Sequence, residues 1–172
     1  MQSENRKAES QNTYQPMVEI DFPTGDFYSF WPNCDLISTY LARMISHNRS
    51  DLVRYTNLFS SAANELLEVV FRTQHSEGRF TCSVSRWGDF ERVRIAFPCS
   101  QEEHRYYEEA IRQAAARNTL ERYVASLTGE DGPGRDTVLL ELALDYGAAL
   151  HLERPDDHTV AIIVDLPLES LP

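Results

Sequence analysis

The chain has 172 residues, 42% hydrophobic and 25% charged, the size and balance of about one globular domain. Its formal net charge is −11, Lys7 is the only lysine and the arginines are scattered, so a phosphate polyanion is repelled and nucleic-acid binding is not expected. No apolar run nears the roughly 20 residues that cross a bilayer. Residues 1–13 are polar and lack the apolar stretch of a secretion signal, so the expectation is a cytoplasmic protein with no membrane contact, a disordered leader over 1–13 and one domain over 14–172.

Residues 14–22 carry Met17, Val18, Ile20 and Phe22 and predict a first strand, broken by Pro23-Thr24-Gly25-Asp26. Phe27-Tyr28-Ser29-Phe30-Trp31 is an aromatic cluster, expected to pack in the core, or to mark an interface if exposed. Asp35 is a candidate cap for a helix with Leu36, Ile37, Tyr40, Leu41, Met44 and Ile45 in one apolar stripe. A longer helix is predicted from Ser50 or Asp51 to about Thr73, with no Gly or Pro inside it. Residues 79–86 and 90–97 alternate with period two around Trp87-Gly88-Asp89 and predict a hairpin.

Ser100 and Glu103 form a capping-box pair for a helix through Ala116, and residues 118–127 continue as another. Residues 128–134 are the only Gly-rich stretch. Asp136 is a candidate cap for a helix over 137–146 closed by Gly147. Strands over 149–153 and 159–166 complete the chain. This order predicts an α/β fold of the α+β two-layer kind, a mixed, mostly antiparallel sheet with helices on one face. Leu58, Phe59, Leu66, Val70, Phe80, Ile95, Leu140 and Ile162 are its expected shared core.

Cys34, Cys82 and Cys99 lie far apart, odd in number and without a CxxC pair, which predicts unreacted thiols rather than a disulfide framework or a zinc site. His47, His75, His104, His151 and His158 show no metal-ligand spacing. His104 sits on a charged helix face, and His151 and His158 have at most the chance to meet across the last hairpin. The acidic pairs Glu102/Glu103, Glu108/Glu109 and Asp156/Asp157 fit solvated surface, and no P-loop or Gly-x-Ser-x-Gly occurs.

Ala62-Ala63-Asn64-Glu65-Leu66-Leu67-Glu68-Val69-Val70-Phe71-Arg72 resembles the first nucleotide-binding motif of the histidine-kinase-like (GHKL) ATPases. The nearest likeness is to small anti-sigma-factor serine kinases and related partner-switching regulators. In that family a helix carries Glu and, four residues on, Asn, both on one face; the Glu can act as base and the Asn oxygen holds Mg²⁺. The resemblance puts Glu65 at the base position and Val69 at the Asn position. An isopropyl group offers no oxygen to a cation that demands oxygen ligands, and the neighbouring Glu68 points about 100° away on the helix.

The family also has a Gly-x-Gly pair opening a later helix, where backbone amides approach phosphate. Alignment through Asp145-Tyr146 places those glycines at Asp136 and Val138. An alternative uses Gly132 and Gly134, with Pro133 and extra residues before the helix. The family's adenine-reading Asp-x-Gly-x-Gly has no counterpart in residues 92–100.

The resemblance therefore implies a degenerate ATPase fold with Glu65 as a vestigial base and Val69, Asp136 and Val138 as lost ATP-site positions. No catalytic residue, metal or cofactor is then expected. The function implied is non-catalytic binding of a protein partner in a bacterial signalling module, the partner being a STAS-domain antagonist or a sigma factor. A homodimer stays open. The alternatives are an active ATP-dependent serine kinase using Glu65 with Mg-ATP, and an unrelated α/β interaction domain.

Overall fold

The computed structural model describes residues 14–47, 49–73, 77–128 and 134–171. The expectations for the 1–13 leader, for His75 and for Gly132 lie outside the described residues. The elements run β1 (Gln15–Pro23), α1 (Thr24–Tyr28), α2 (Asn33–Ile45), α3 (Leu52–Phe71), β2 (Arg79–Trp87), β3 (Phe90–Pro98), α4 (Gln101–Ala114), α5 (Thr119–Thr128), α6 (Arg135–Asp145), β4 (Ala149–Asp156) and β5 (Thr159–Leu166).

The five strands form one sheet in the order β1-β2-β3-β5-β4, and all four pairings are antiparallel. This is the expected α+β fold at the fully antiparallel limit of the mixed sheet predicted. Register explains the two layers. Val84 pairs with Val93, Cys82 with Ile95, Ile95 with Ile162 and Phe97 with Val160. The period of two sends all of these to one face, where they are buried in a single cluster with the apolar faces of α2, α3, α4 and α6. The opposite face carries the residues between them and is tied by ion pairs such as Arg92–Asp165 at 2.7 Å and Arg94–Glu153 at 3.2 Å.

Asp51 caps α3 by accepting the Arg54 backbone N–H at 3.0 Å, and Ser100 and Glu103 form the reciprocal capping box of α4. Gly88 (φ +57°) turns the β2–β3 hairpin and Gly147 (φ +58°) ends α6. Both adopt a left-handed conformation that glycine takes without a Cβ penalty.

Several expected boundaries move. Residues 24–28 form a short helix rather than a plain break. Helix α2 starts at Asn33, not at an Asp35 cap, because the Asn33 amide donates to the Asp26 and Phe27 carbonyls and fixes the entry; Asp35 sits in the first turn, where a carboxylate suits the helix dipole. Helix α6 starts at Arg135 behind Gly134, whose N–H donates to Thr137 Oγ1 at 3.0 Å, so Asp136 lies inside the first turn and does not cap it.

Seven of the eight expected core residues are buried, whereas Leu58 is only half-buried. Leu58 lies toward the N-terminal end of α3, where a small cavity opens beside Arg54 and Leu168. The aromatic cluster splits. Phe27 is fully buried and stacks on Phe80 with ring centroids 4.3 Å apart, while Phe30 and Trp31 stay exposed.

Candidate functional site

Helix α3 carries both residues of the first motif. Its buried positions Ala62, Ala63, Leu66, Leu67, Val69 and Val70 fix the rotation of the helix against the sheet and α6. That rotation leaves Glu65 at the α3–α6 seam. Its Oε1 accepts the Tyr146 hydroxyl at 3.2 Å, and its Oε2 is buried with no hydrogen-bond partner among the described residues. Burial pushes the Glu65 carboxyl up to about 7 against the opposing Tyr146 hydrogen bond, and the negative charges of Glu141, Asp145 and Glu68 add to the rise. Burial and the Glu65 charge in turn raise the Tyr146 phenol. Glu68 accepts the Asn64 amide at 2.8 Å along its own helix.

Val69, one turn further on, is 1% exposed and belongs to the hydrophobic core. Four residues from Glu65 it shares that side of the helix, but it faces inward among apolar neighbours.

The two α6 positions lie elsewhere. Asp136 is in the first turn, where the Tyr106 hydroxyl of α4 donates to its Oδ1 at 3.5 Å. Val138 is partly buried against the core. Glu65 meets the far end of this helix at Asp145 and Tyr146, about 14 Å along the axis from Asp136 at 1.5 Å per residue. The structure thus brings Glu65 together with Tyr146, Glu141 and Asp145, and leaves Asp136 and Val138 at the opposite end. Gly134 approaches Asp136 closely: a Cβ there would stand 2.6 Å from Asp136 Oδ1.

These residues do not fit a magnesium nucleotide. Val69 has no donor atom, and Asp136 sets a carboxylate where the alignment puts phosphate. Glu65 lies among further carboxylates that would repel phosphate as they repel its own proton loss. No group of three or more His, Cys, Asp or Glu capable of holding a metal occurs among the described residues. His151 lies opposite Ile163 with Nε2 3.8 Å from Asp165, and His158 sits in the turn, so the two do not meet. The three cysteines are free and buried, and burial pushes each thiol up to about 12. No helix among the described residues is long and apolar enough to cross a membrane.

Two further features were not foreseen from sequence. Glu91 is fully buried and bridges Arg49 at 2.5 Å and Arg86 at 2.6 Å. The signal was present, since period two puts Glu91 on the same strand face as Val93 and Ile95. The second is surface. The α2 stripe is wider than the face that packs, so Leu41, Ala42 and Ile45 are buried while Leu36, Tyr40 and Met44 are 61%, 49% and 47% exposed. A smaller stripe of Leu120, Val124 and Leu127 is exposed on α5.

No family model matches the chain, and no curated protein does. A solved structure does: a chain of the crystal structure of the SiaB–SiaC complex from Pseudomonas aeruginosa is 12% identical, with 96% of each chain covered and a TM-score of 0.65. Over nearly its whole length, then, this chain shares its fold with a protein crystallised in a two-protein complex.

Proposed function

We propose that this chain is a non-catalytic regulator with a degenerate GHKL-type fold, acting in the cytoplasm by binding a protein partner in a bacterial signalling or partner-switching module. The observation that carries the reading is Val69: the position aligned with the family's metal-holding Asn is 1% exposed and packed into the core. A side chain that completes the core cannot be exchanged for nucleotide without unpacking it. The shared fold with a chain of the SiaB–SiaC complex supports a protein as the partner, and a STAS-domain antagonist or a sigma factor is the class the family resemblance favours.

The experiment is to titrate the purified full-length chain with the STAS-domain proteins and sigma factors of its source organism, with and without Mg-ATP. Saturable binding to one of them, unchanged by nucleotide, is expected. Binding to none, or binding that needs ATP, would overturn the reading.

One observation favours the active-kinase alternative. Glu65 is raised to about 7, and a carboxyl poised near neutral pH suits a general base. The alternative requires phosphate transfer from ATP to a partner serine, abolished by Glu65→Ala. Burial at the α3–α6 seam, with the smaller push of Glu141, Asp145 and Glu68, explains the same rise without catalysis.

A further inference from the structure

Strand β1 ends the sheet: it pairs with β2 on one side, and no described strand pairs with its other side. An open edge of this kind is a template for another chain and is ordinarily guarded. Beside it lies an apolar groove lined by Ile20, Phe22, Leu36, Ile37 and Tyr40, with Asp21 at the rim. The register Val18↔Val84, Ile20↔Cys82 and Phe22↔Phe80 places Val18, Ile20 and Phe22 on the helix side of the sheet, and Glu19 and Asp21 on the other. Asp21 is held by Arg79 at 2.9 Å, whereas Glu19 is exposed.

We propose that the outer edge of β1 receives an extended segment of a partner protein as a sixth strand, apolar at the positions over the β1–α2 groove and basic at the alternate position beside Glu19. The proposal rests on the protein-binding reading and names where and by what chemistry the partner docks. In such strand addition, main-chain hydrogen bonds hold the segment and pockets for alternate side chains select it. The groove and the exposed Leu36 and Tyr40 supply the apolar row, and Glu19 supplies the charge. The edge itself argues against a second copy. Antiparallel self-pairing about Ile20 puts Glu19 opposite Asp21 of the other copy, and pairing about Glu19 or Asp21 puts each opposite itself; like charges directly opposite destabilise a sheet. Residues 1–13 contain only Met1 and Ala8 as apolar residues, so they cannot supply the apolar row.

The test uses the full chain and a blocked peptide of alternating Val and Lys, with a Val-Glu peptide for comparison. Hydrogen exchange is followed at β1, and affinity is measured for Leu36→Lys and Glu19→Lys. Expected results are saturable binding of the Val-Lys peptide alone and slowed exchange at outward β1 amides. Affinity should fall about fivefold or more in Leu36→Lys and about fivefold in Glu19→Lys. The proposal is overturned by an absence of binding, or by binding indifferent to Leu36→Lys. It is also overturned by β1 amides already protected in the free monomer, which would make residues 1–13 the occupant. A dimer lost in Leu36→Lys would make a second copy the occupant. A STAS or sigma partner that protects α5 and leaves β1 unprotected would refute this docking site while the protein-binding reading stands; no partner binding at all would refute that reading instead.

Discussion

The α3–α6 seam and the β1–α2 edge put apolar side chains to opposite uses. At the seam, Val69 is 1% exposed and packs into the core, while Glu65 sits half-buried beside Glu68, Glu141 and Asp145. At the edge, Leu36 is 61% exposed and flanks an open groove on a strand paired on one side only. A resemblance in sequence drew attention to the first region. The second is the better equipped to receive another molecule, because its polar main chain and apolar side chains are both accessible. The difference teaches that a position singled out by a sequence motif can be sealed in the core while the accessible main chain and apolar side chains lie elsewhere.

The contrast can be broken by substitution. The largest effect is expected at Leu66, 1% exposed on α3: Leu66→Ala should cost about 2–5 kcal/mol in urea unfolding, and a loss below about 0.5 kcal/mol, the usual scale of a surface change, would mean the seam is not sealed. Val69→Asn should cost about 1–3 kcal/mol, because it buries an amide among apolar neighbours. Unchanged stability there would show that water reaches the position and that a polar pocket survives.

The Glu65 prediction has a definite sign. Its folded value, about 7, lies above the ordinary carboxyl value of 4.5, so between these limits the folded chain binds more protons than the unfolded one. Stability from this group is therefore lost as pH rises from about 4.5 through 7. Glu65→Gln should raise the melting temperature at pH 8 and leave it almost unchanged at pH 4. No pH dependence of the difference would place Glu65 in solvent, and the opposite pattern would place it beside a cation. At the edge, Leu36→Lys should change stability by no more than about 0.5 kcal/mol; a larger loss would show that α2 packs through this side chain.

Much of the fold was legible in the sequence. Alternation in residues 79–97 with Gly88 between gave the hairpin, Ser100 and Glu103 gave the α4 cap, and the uninterrupted α3 pattern gave the longest helix. Periodicity does not say how much of a stripe finds a partner, so the α2 stripe read as one face although its Leu36–Tyr40–Met44 half is uncovered. It likewise misplaced Leu58. Asp136 looked like a cap because Asp favours that role, but the close approach at Gly134 and its bond to Thr137 move the helix start two residues earlier, to Arg135. Within the candidate site, the place of Glu65 on one face of the long helix was readable from its neighbours in sequence. Its pairing with Tyr146, 81 residues away, was not, because that contact depends on how α3 and α6 pack.

The most direct test of the non-catalytic reading is calorimetric titration of the unmodified full-length chain with ATP in excess Mg²⁺. With Val69 in the core, a carboxylate at Asp136 and a branched side chain at Val138, the prediction is no binding tighter than about 1 mM, which corresponds to about 4 kcal/mol. A saturable isotherm in the micromolar range, worth about 8 kcal/mol, would contradict it and make the chain a nucleotide-binding enzyme candidate.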